Sequence, residues 1–384
     1  MGGEGSLQRI ILYDKIVIKN YVYISLMVPD CTLTTSCFDL TPYHAKSRPL
    51  SEAIENMRTL LEVPCYLVIF TDVACFPLIK ALRQPLDHLT VYIIQPFETT
   101  PFYPLVEVVK ANRERTWPTA DERTCSENHV LVNTKHAFVV RTMDMNPFRT
   151  SRFGWIDANI GKNFSKIAED YQPGMLLDCL RQASDKFHIQ VLTAIDKKFL
   201  KGENKPEYYQ QYRWVVCGSF FTTGENIGRR VAKRMDELFR QTTEQGYGHG
   251  EEMIYLEVLE ELYEDLDITY GDYGQLLNNY AYPTRNIGFI HDHVFQRYLQ
   301  YGYHREAYAC ARKVIKGIEN GVDVGPPLYF SFLFGQYLSG FYADRENARH
   351  IVDHIYDICQ KDPLLMAQLD SNRSFYEEQF KYVM

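Results

Sequence analysis

The chain lacks a long apolar run, a basic excess and any paired-cysteine motif, and each absence removes a class of protein. Nowhere do apolar residues continue for the roughly 18 positions a membrane-spanning helix needs, and the opening residues lack the apolar core of a secretory signal; the expected location is cytoplasmic, with no transmembrane segment. Lysine and arginine total 41 against 49 aspartates and glutamates, a net charge of −8. A protein that neutralises a run of phosphates shows a basic excess or stripe, so nucleic acid is not expected as a ligand. The nine cysteines are scattered without a CxxC pair, which predicts reduced, mostly buried thiols. Missing as well are the GxxxxGK(S/T) loop of nucleotide triphosphatases, the GxSxG nucleophile elbow, HExxH, and a GxGxxG after the first strand, so kinase, hydrolase and zinc-protease readings lose their support.

What is present is 384 residues of ordinary globular composition, 46% hydrophobic and 23% charged. At roughly 150 residues per domain there is room for two domains, or for one large α/β domain with a helical module. The 28 tyrosines stand out. Tyrosine joins a flat apolar face to a hydroxyl, which suits polar ring-shaped ligands such as sugars and equally suits helix packing. Along the first half, strand-like and helix-like runs alternate: a strand over 21–28, a helix over 51–63, a strand over 65–72, a helix over 73–83 and a strand over 89–94. This βαβαβ order predicts a mainly parallel sheet covered on both faces, with its ligand crevice at the carboxyl ends of the strands. Residues 111–128 read as a charged surface loop before a helix over 129–145, a strand follows over 153–160, and further strands are expected at 189–195 and 213–222. Helices follow at 225–243 and 250–264. From about residue 285 only helices are expected, and two similarly patterned helical hairpins, 298–315 and 337–355, resemble stacked repeats offering a surface for a protein partner or a second copy. The expected domains are 1–284 and 285–384.

The strongest candidate for chemistry is NPFRTSRFGWIDANI, residues 146–160, where a strand ends in Asp157. A carboxylate at a sheet edge can hold Mn²⁺ or Mg²⁺ against a departing diphosphate, with Asn159 as a weaker oxygen ligand. The bland reading makes Asp157 a helix cap. In GHGEEMIYLEVLEELY, residues 248–263, His249, Glu251 and Glu252 stand at a helix start between glycines. One glutamate there is placed to deprotonate an acceptor hydroxyl, while acidic residues in a first turn also answer the helix dipole with no function at all. CGSFFTTGEN, residues 217–226, and Asp272 in YGDY are places where backbone approaches a ligand closely. In HDH, His291 and His293 fall on different sides of a helix, a poor two-histidine zinc site.

Taken in order, SRPLSEAIENMRTLL, LVIFTD, ENHVLVNTKHAFVVRTMDMNPFRTSRFGWIDANI, GEEMIYLEVL and YGDYGQLLNNY resemble the WlaTC/HtrL family of glycosyltransferase-like proteins, across about residues 20–285 and most densely at 127–160. Asn159 is a departure, standing where the family pattern commonly has glycine. The resemblance implies a GT-A-like, Rossmann-type sheet flanked by helices, followed by a C-terminal all-α helical-hairpin subdomain. It implies a glycosyltransferase acting on a nucleotide-sugar donor and a glycan or lipid-linked acceptor, with Mn²⁺ or Mg²⁺ on Asp157. Under it Lys135 becomes a point charge for the diphosphate, as do Arg149 and Arg152; Asp72 contacts base or ribose, unless it caps a turn; a single histidine, His291 or His293, completes the metal shell; and Glu251 or Glu252 acts as base. Two other readings use the same residues: a non-catalytic scaffold acting through its helical tail, and a metal-dependent nucleotide-sugar hydrolase.

Overall fold

Seven strands set the frame, and the first of them, β1 (Cys31–Cys37), comes from a stretch with little apolar character, CTLTTSC. The computed structural model describes residues 28–116, 125–161, 174–247, 250–285, 287–343 and 348–371. After β1 follow α1 (Leu50–Leu61), β2 (Tyr66–Thr71), α2 (Phe76–Arg83), β3 (Thr90–Ile94), α3 (Val106–Thr116), α4 (Ser126–Met145), β4 (Arg152–Ile156), α5 (Gly174–Arg181), β5 (Phe187–Val191), the short α6 (Lys205–Tyr209), β6 (Val216–Gly224), α7 (Glu225–Glu244), α8 (Glu251–Glu261), β7 (Leu266–Tyr270) and α9 (Leu276–Ala281). The remainder is helical: α10 (Phe289–Gln300), α11 (His304–Glu319), α12 (Pro326–Ala343), α13 (Ala348–Lys361) and α14 (Pro363–Ser371).

The strand order is β3-β2-β1-β4-β6-β5-β7. All neighbours run parallel except β6, which is antiparallel to both β4 and β5. The expected Rossmann-type, mainly parallel sheet with flanking helices, followed by a helical C-terminal part, is what the chain forms. Period-two alternation divides each strand between two cores. In β2, Leu67 and Ile69 point into a cluster with Ile54 and Met57 of α1 and Leu176 of α5, while Val68 and Phe70 point into the other, with Phe138 of α4, Met235 of α7 and Ile254 of α8. That second cluster runs on without a break through Phe295, Val314 and Leu333 to Leu365, so the C-terminal helices share apolar packing with the sheet. Among the described residues no helix is long and apolar enough to cross a membrane. All nine cysteines are buried and free.

Several boundaries differ from the sequence reading. The strand expected at 21–28 lies outside the described residues except for Val28; among the described residues the first strand is β1, at 31–37, which the sequence reading did not anticipate. Its hydroxyl side chains concealed it, because the structure pairs two of them internally: Thr34 donates to Thr142 of α4 at 2.9 Å, and Thr32 pairs with Thr150 at 2.6 Å. Helix α3 takes in residues 111–116, which had been read as loop, and α4 starts at Ser126 rather than 129, where Cys125 Sγ accepts from the Asn128 amide. Buried Arg83 is satisfied by three carbonyls, those of Leu61, Val63 and Cys65, which fastens α2 to the chain between α1 and β2.

Three buried imidazoles make the fold acid-sensitive. Burial, with Lys135 adding to it, holds His136 down to about 3; burial and Lys313, against the opposing pull of Asp267, hold His188 down to about 3; and burial then Lys313 hold His291 down to about 4. Each stays neutral in the native chain where the unfolded chain takes up a proton near 6.5, so their stability contribution is present above that pH and is lost as pH falls toward 4. Three such groups together steepen the loss to at most roughly 4 kcal/mol per pH unit. The thermal midpoint is expected to fall by several degrees between pH 7 and pH 5. A midpoint that holds steady over that range would contradict the burial of neutral histidines.

Candidate functional site

Strand β1 has β2 on one side and β4 on the other, so the chain winds away from it in both directions and a crevice opens at the carboxyl ends of β1 and β4. Asp157 is the first residue after β4 and stands at that crevice. Its amide donates to the Ser219 carbonyl of antiparallel β6 at 2.8 Å, which fixes the backbone. Trp155, two residues earlier and therefore on the same face of the strand, fixes the side chain: its Nε1 donates to Asp157 Oδ1 at 2.5 Å. Helix α4 lays Lys135 across this face.

The Lys135 ammonium is enclosed by oxygen. It donates to the Gly218 carbonyl at 2.9 Å and to Glu251 Oε1, stands 3.4 Å from Asp157 Oδ1, and lies 5.5 Å from the centre of the Trp155 ring. Its side chain is 1% exposed and that of Glu251 2%. Burial alone works against the Lys135 charge, but Asp157, then Glu251 and Glu252, outweigh it and hold the ammonium above the ordinary lysine range. The same burial, with Glu252 adding to it, pushes the Glu251 carboxyl up to about 8 against the pull of Lys135. Geometry agrees, since Glu251 Oε2 is buried with no hydrogen-bond partner among the described residues, the environment of a carboxyl that gains by keeping a proton.

Two glycines make room for this arrangement. A Cβ on Gly218 would lie 2.5 Å from Glu251 Oε1, and one on Gly250 would lie 2.9 Å from Glu252 Oε2. Gly218→Ala is therefore expected to push Glu251 off Lys135 and to cost about 1–3 kcal/mol of stability, measurable by urea unfolding. An unchanged midpoint would mean that the carboxylate is not held against the strand.

Glu252 turns the other way. Its Oε2 accepts from the Tyr212 hydroxyl at 3.0 Å, and Tyr212 lines a cavity of about 870 Å³ beyond the ends of β5 and β7. Tyr273 lines the same cavity, and its hydroxyl is bonded to that of Ser219, whose carbonyl holds Asp157. The cavity thus adjoins the Asp157 corner through two tyrosines.

Of the residues singled out from sequence, Lys135, Asp157, Glu251 and Glu252 come together, although they lie far apart in the chain. Lys135 is an internal charge, 1% exposed and held between Asp157 and Glu251, rather than an arm reaching outward. Arg149 and Arg152 are not brought to this corner: Arg152 begins β4 and Asp157 follows its end, about 17 Å along the strand, and Arg152 pairs with Asp185 at 3.2 Å. Arg149 sits in the turn after α4 with φ 55°. Asp72 commits both oxygens to backbone amides, those of Asp39, Ala74 and Cys75, so it acts as a turn cap. Asn159 Oδ1 faces Asn56 at 3.4 Å, and His291 is buried behind Tyr270, their rings 6.2 Å apart, with no contact to Asp157 among the described residues. His249 lies outside the described residues. Trp155, Tyr212 and Tyr273 were missed. Only Trp155 carried a legible signal, its two-residue spacing from Asp157.

A divalent ion held by protein alone takes several oxygen ligands, and among the described residues no group of three or more His, Cys, Asp or Glu could hold one. Asp157 nevertheless offers Oδ2, on a side chain 31% exposed, while Oδ1 serves Trp155 and Lys135. This donor set fits an ion whose shell is completed by a bound diphosphate, as Mg²⁺-type ions commonly are.

No curated protein matches the chain. Among solved structures it is similar to the apo form of mouse xyloside xylosyltransferase 1, at 14% identity, covering 62% of this chain and 84% of that one with a TM-score of 0.33. Residues 29–193, from the approach to β1 to just past β5, match the model of the HtrL_YibB family, described as bacterial protein of unknown function, and over that span the family resemblance seen in the sequence holds.

Proposed function

We propose that the protein transfers a sugar from a nucleotide-sugar donor to a glycan or lipid-linked acceptor at the Asp157 corner of the sheet. The observation that carries this reading is the position of Asp157: a carboxylate at the carboxyl end of β4, beside the switch point, backed by a buried ammonium and adjoining a large cavity. Mn²⁺ or Mg²⁺, held by Asp157 together with the donor diphosphate, would supply positive charge to the leaving group. Lys135 and Trp155 keep the Asp157 carboxylate in one orientation, so little reorganisation is needed when the donor arrives. Glu251, enclosed with Lys135, positions that ammonium and does not face the cavity. Glu252, presented beside the cavity by Tyr212, is the base: it takes the proton of the acceptor hydroxyl as that oxygen bonds to the anomeric carbon and the bond to the diphosphate breaks. A single displacement of this kind inverts the anomeric centre.

The test is a thermal-shift screen against UDP, GDP, CMP and dTDP sugars, each with Mn²⁺ and with chelator, because a ligand that binds only the native chain raises the midpoint by mass action. A metal-dependent shift with one nucleotide, abolished in Asp157→Asn, supports the reading. Shifts with none of them sink it. Sugar released at the same rate with and without any acceptor would replace transfer by hydrolysis.

A further inference from the structure

The cavity beyond β5 and β7 differs in character from the crevice at Asp157. Aliphatic lining is confined to a few residues such as Leu192, Ile195 and Ile290, whereas Tyr212, Trp214, Tyr273 and Tyr301 each present a ring bearing a polar group. Trp214 is 61% exposed, an unusual state for the largest apolar side chain unless it serves as a contact surface. Its ring meets that of Tyr212 edge-on at 5.2 Å, so Tyr212 braces it at one end and holds Glu252 at the other. Charged groups on the wall are already engaged: the Arg213 guanidinium lies 4.8 Å over the Phe199 ring, Arg297 donates to the Tyr301 hydroxyl at 2.9 Å, and Asp272 accepts from the Gly274 amide at 2.8 Å. Such a wall has flat apolar faces and hydroxyls, and no aliphatic channel for a lipid tail.

We infer that this cavity is a saccharide-binding site, in which Trp214 and its tyrosine neighbours stack against the apolar faces of sugar rings while their polar edges bond ring hydroxyls. The inference rests on the transferase reading for its role, since it makes the acceptor a glycan rather than a lipid carrier, but the binding itself does not depend on turnover. The volume of about 870 Å³ lies at the upper end of the range for small-molecule sites and admits more than one ring. Aromatic faces also hold a ring without fixing every hydroxyl, so the site accommodates a chain whose reactive end points back toward Tyr212 and Glu252.

An array of immobilised oligosaccharides, probed with the intact protein, reads this directly, with dodecyl phosphate in solution as the lipid-like contrast. The expected result is binding to a subset of oligosaccharides, weakened about tenfold or more in Trp214→Ala, whose exposed position leaves folding intact. Protein that ignores every oligosaccharide, or that binds dodecyl phosphate with the same Trp214 dependence, overturns the inference. Nucleotide binding measured on the same protein keeps the two readings apart: nucleotide bound without saccharide removes this inference and spares the transferase, and saccharide bound without nucleotide does the opposite.

Discussion

Lys135→Met is expected to lower the unfolding free energy at pH 7 by about 3 kcal/mol, and the loss is expected to grow as the pH rises above 8. Glu251, 1% exposed, would be left without its only cationic partner among the described residues, and a buried carboxylate stripped of its partner is among the more damaging changes a core can suffer. Beside Lys135 the Glu251 carboxyl is already pushed up to about 8, so at pH 5 to 7 the loss is that of the broken buried contacts; without Lys135 the carboxyl holds its proton more tightly still, and the loss grows by up to about 1.4 kcal/mol per pH unit above 8. The sign is that of a carboxyl whose native pKa is raised: stability is present at low pH and lost as pH rises. Lys135→Met with Glu251→Gln removes the titrating group along with its partner and should recover most of the loss, with the remaining deficit indifferent to pH. Urea unfolding of wild type, both single variants and the double variant at pH 5, 7 and 9 measures all of this. A deficit that is the same at every pH would mean that Lys135 matters through packing alone.

Asp157→Asn should lower the midpoint by several degrees, because the buried Lys135 ammonium loses its foremost counter-charge, yet leave the chain folded, and reduce sugar transfer about 100- to 1000-fold, the usual consequence of removing one preorganised electrostatic group from a reaction that develops charge on its leaving group. The amide oxygen of asparagine still accepts the Trp155 indole N–H, so the strand end keeps its shape; what is lost is the negative charge. For the same reason the variant should lose the stabilisation that metal and nucleotide give together, about 2.7 kcal/mol at a hundred times the dissociation constant. Transfer rates with each sugar donor, paired with melting curves, decide it. Wild-type transfer by Asp157→Asn would remove this corner from the chemistry and turn attention to the acidic residues along the cavity.

The parallel strands and flanking helices were legible because their physics is local. YLVIFT can be nothing but a strand buried on both faces, and helical spacing in LSEAIENMRTLL is equally plain. CTLTTSC was not legible, since its threonines read as surface until α4 and the turn after it supply their partners from more than a hundred residues away. The candidate residues divide along the same line. Asp72 and Arg152 looked alike in promise to Lys135 and Asp157, both near strand ends and both charged. One turned out to be occupied by its own turn and the other to stand at the opposite end of its strand.

Taken alone, the sequence determined the class of fold and the lack of an apolar run of membrane-spanning length, and it singled out Asp157 and the two glutamates as candidates, because strand periodicity, apolar run length and a carboxylate at a strand end are properties of short segments. Which of those charges meet was decided only by tertiary structure. Helix α4 and the start of α8 pack on the same sheet from positions 116 residues apart, so that one buried ammonium joins Asp157 to Glu251; the adjacent residue, Glu252, is turned to Tyr212 because successive residues at a helix start point in different directions. Long-range charge pairing of this kind leaves no periodic mark on a chain, since it depends on how separate elements come to rest against each other.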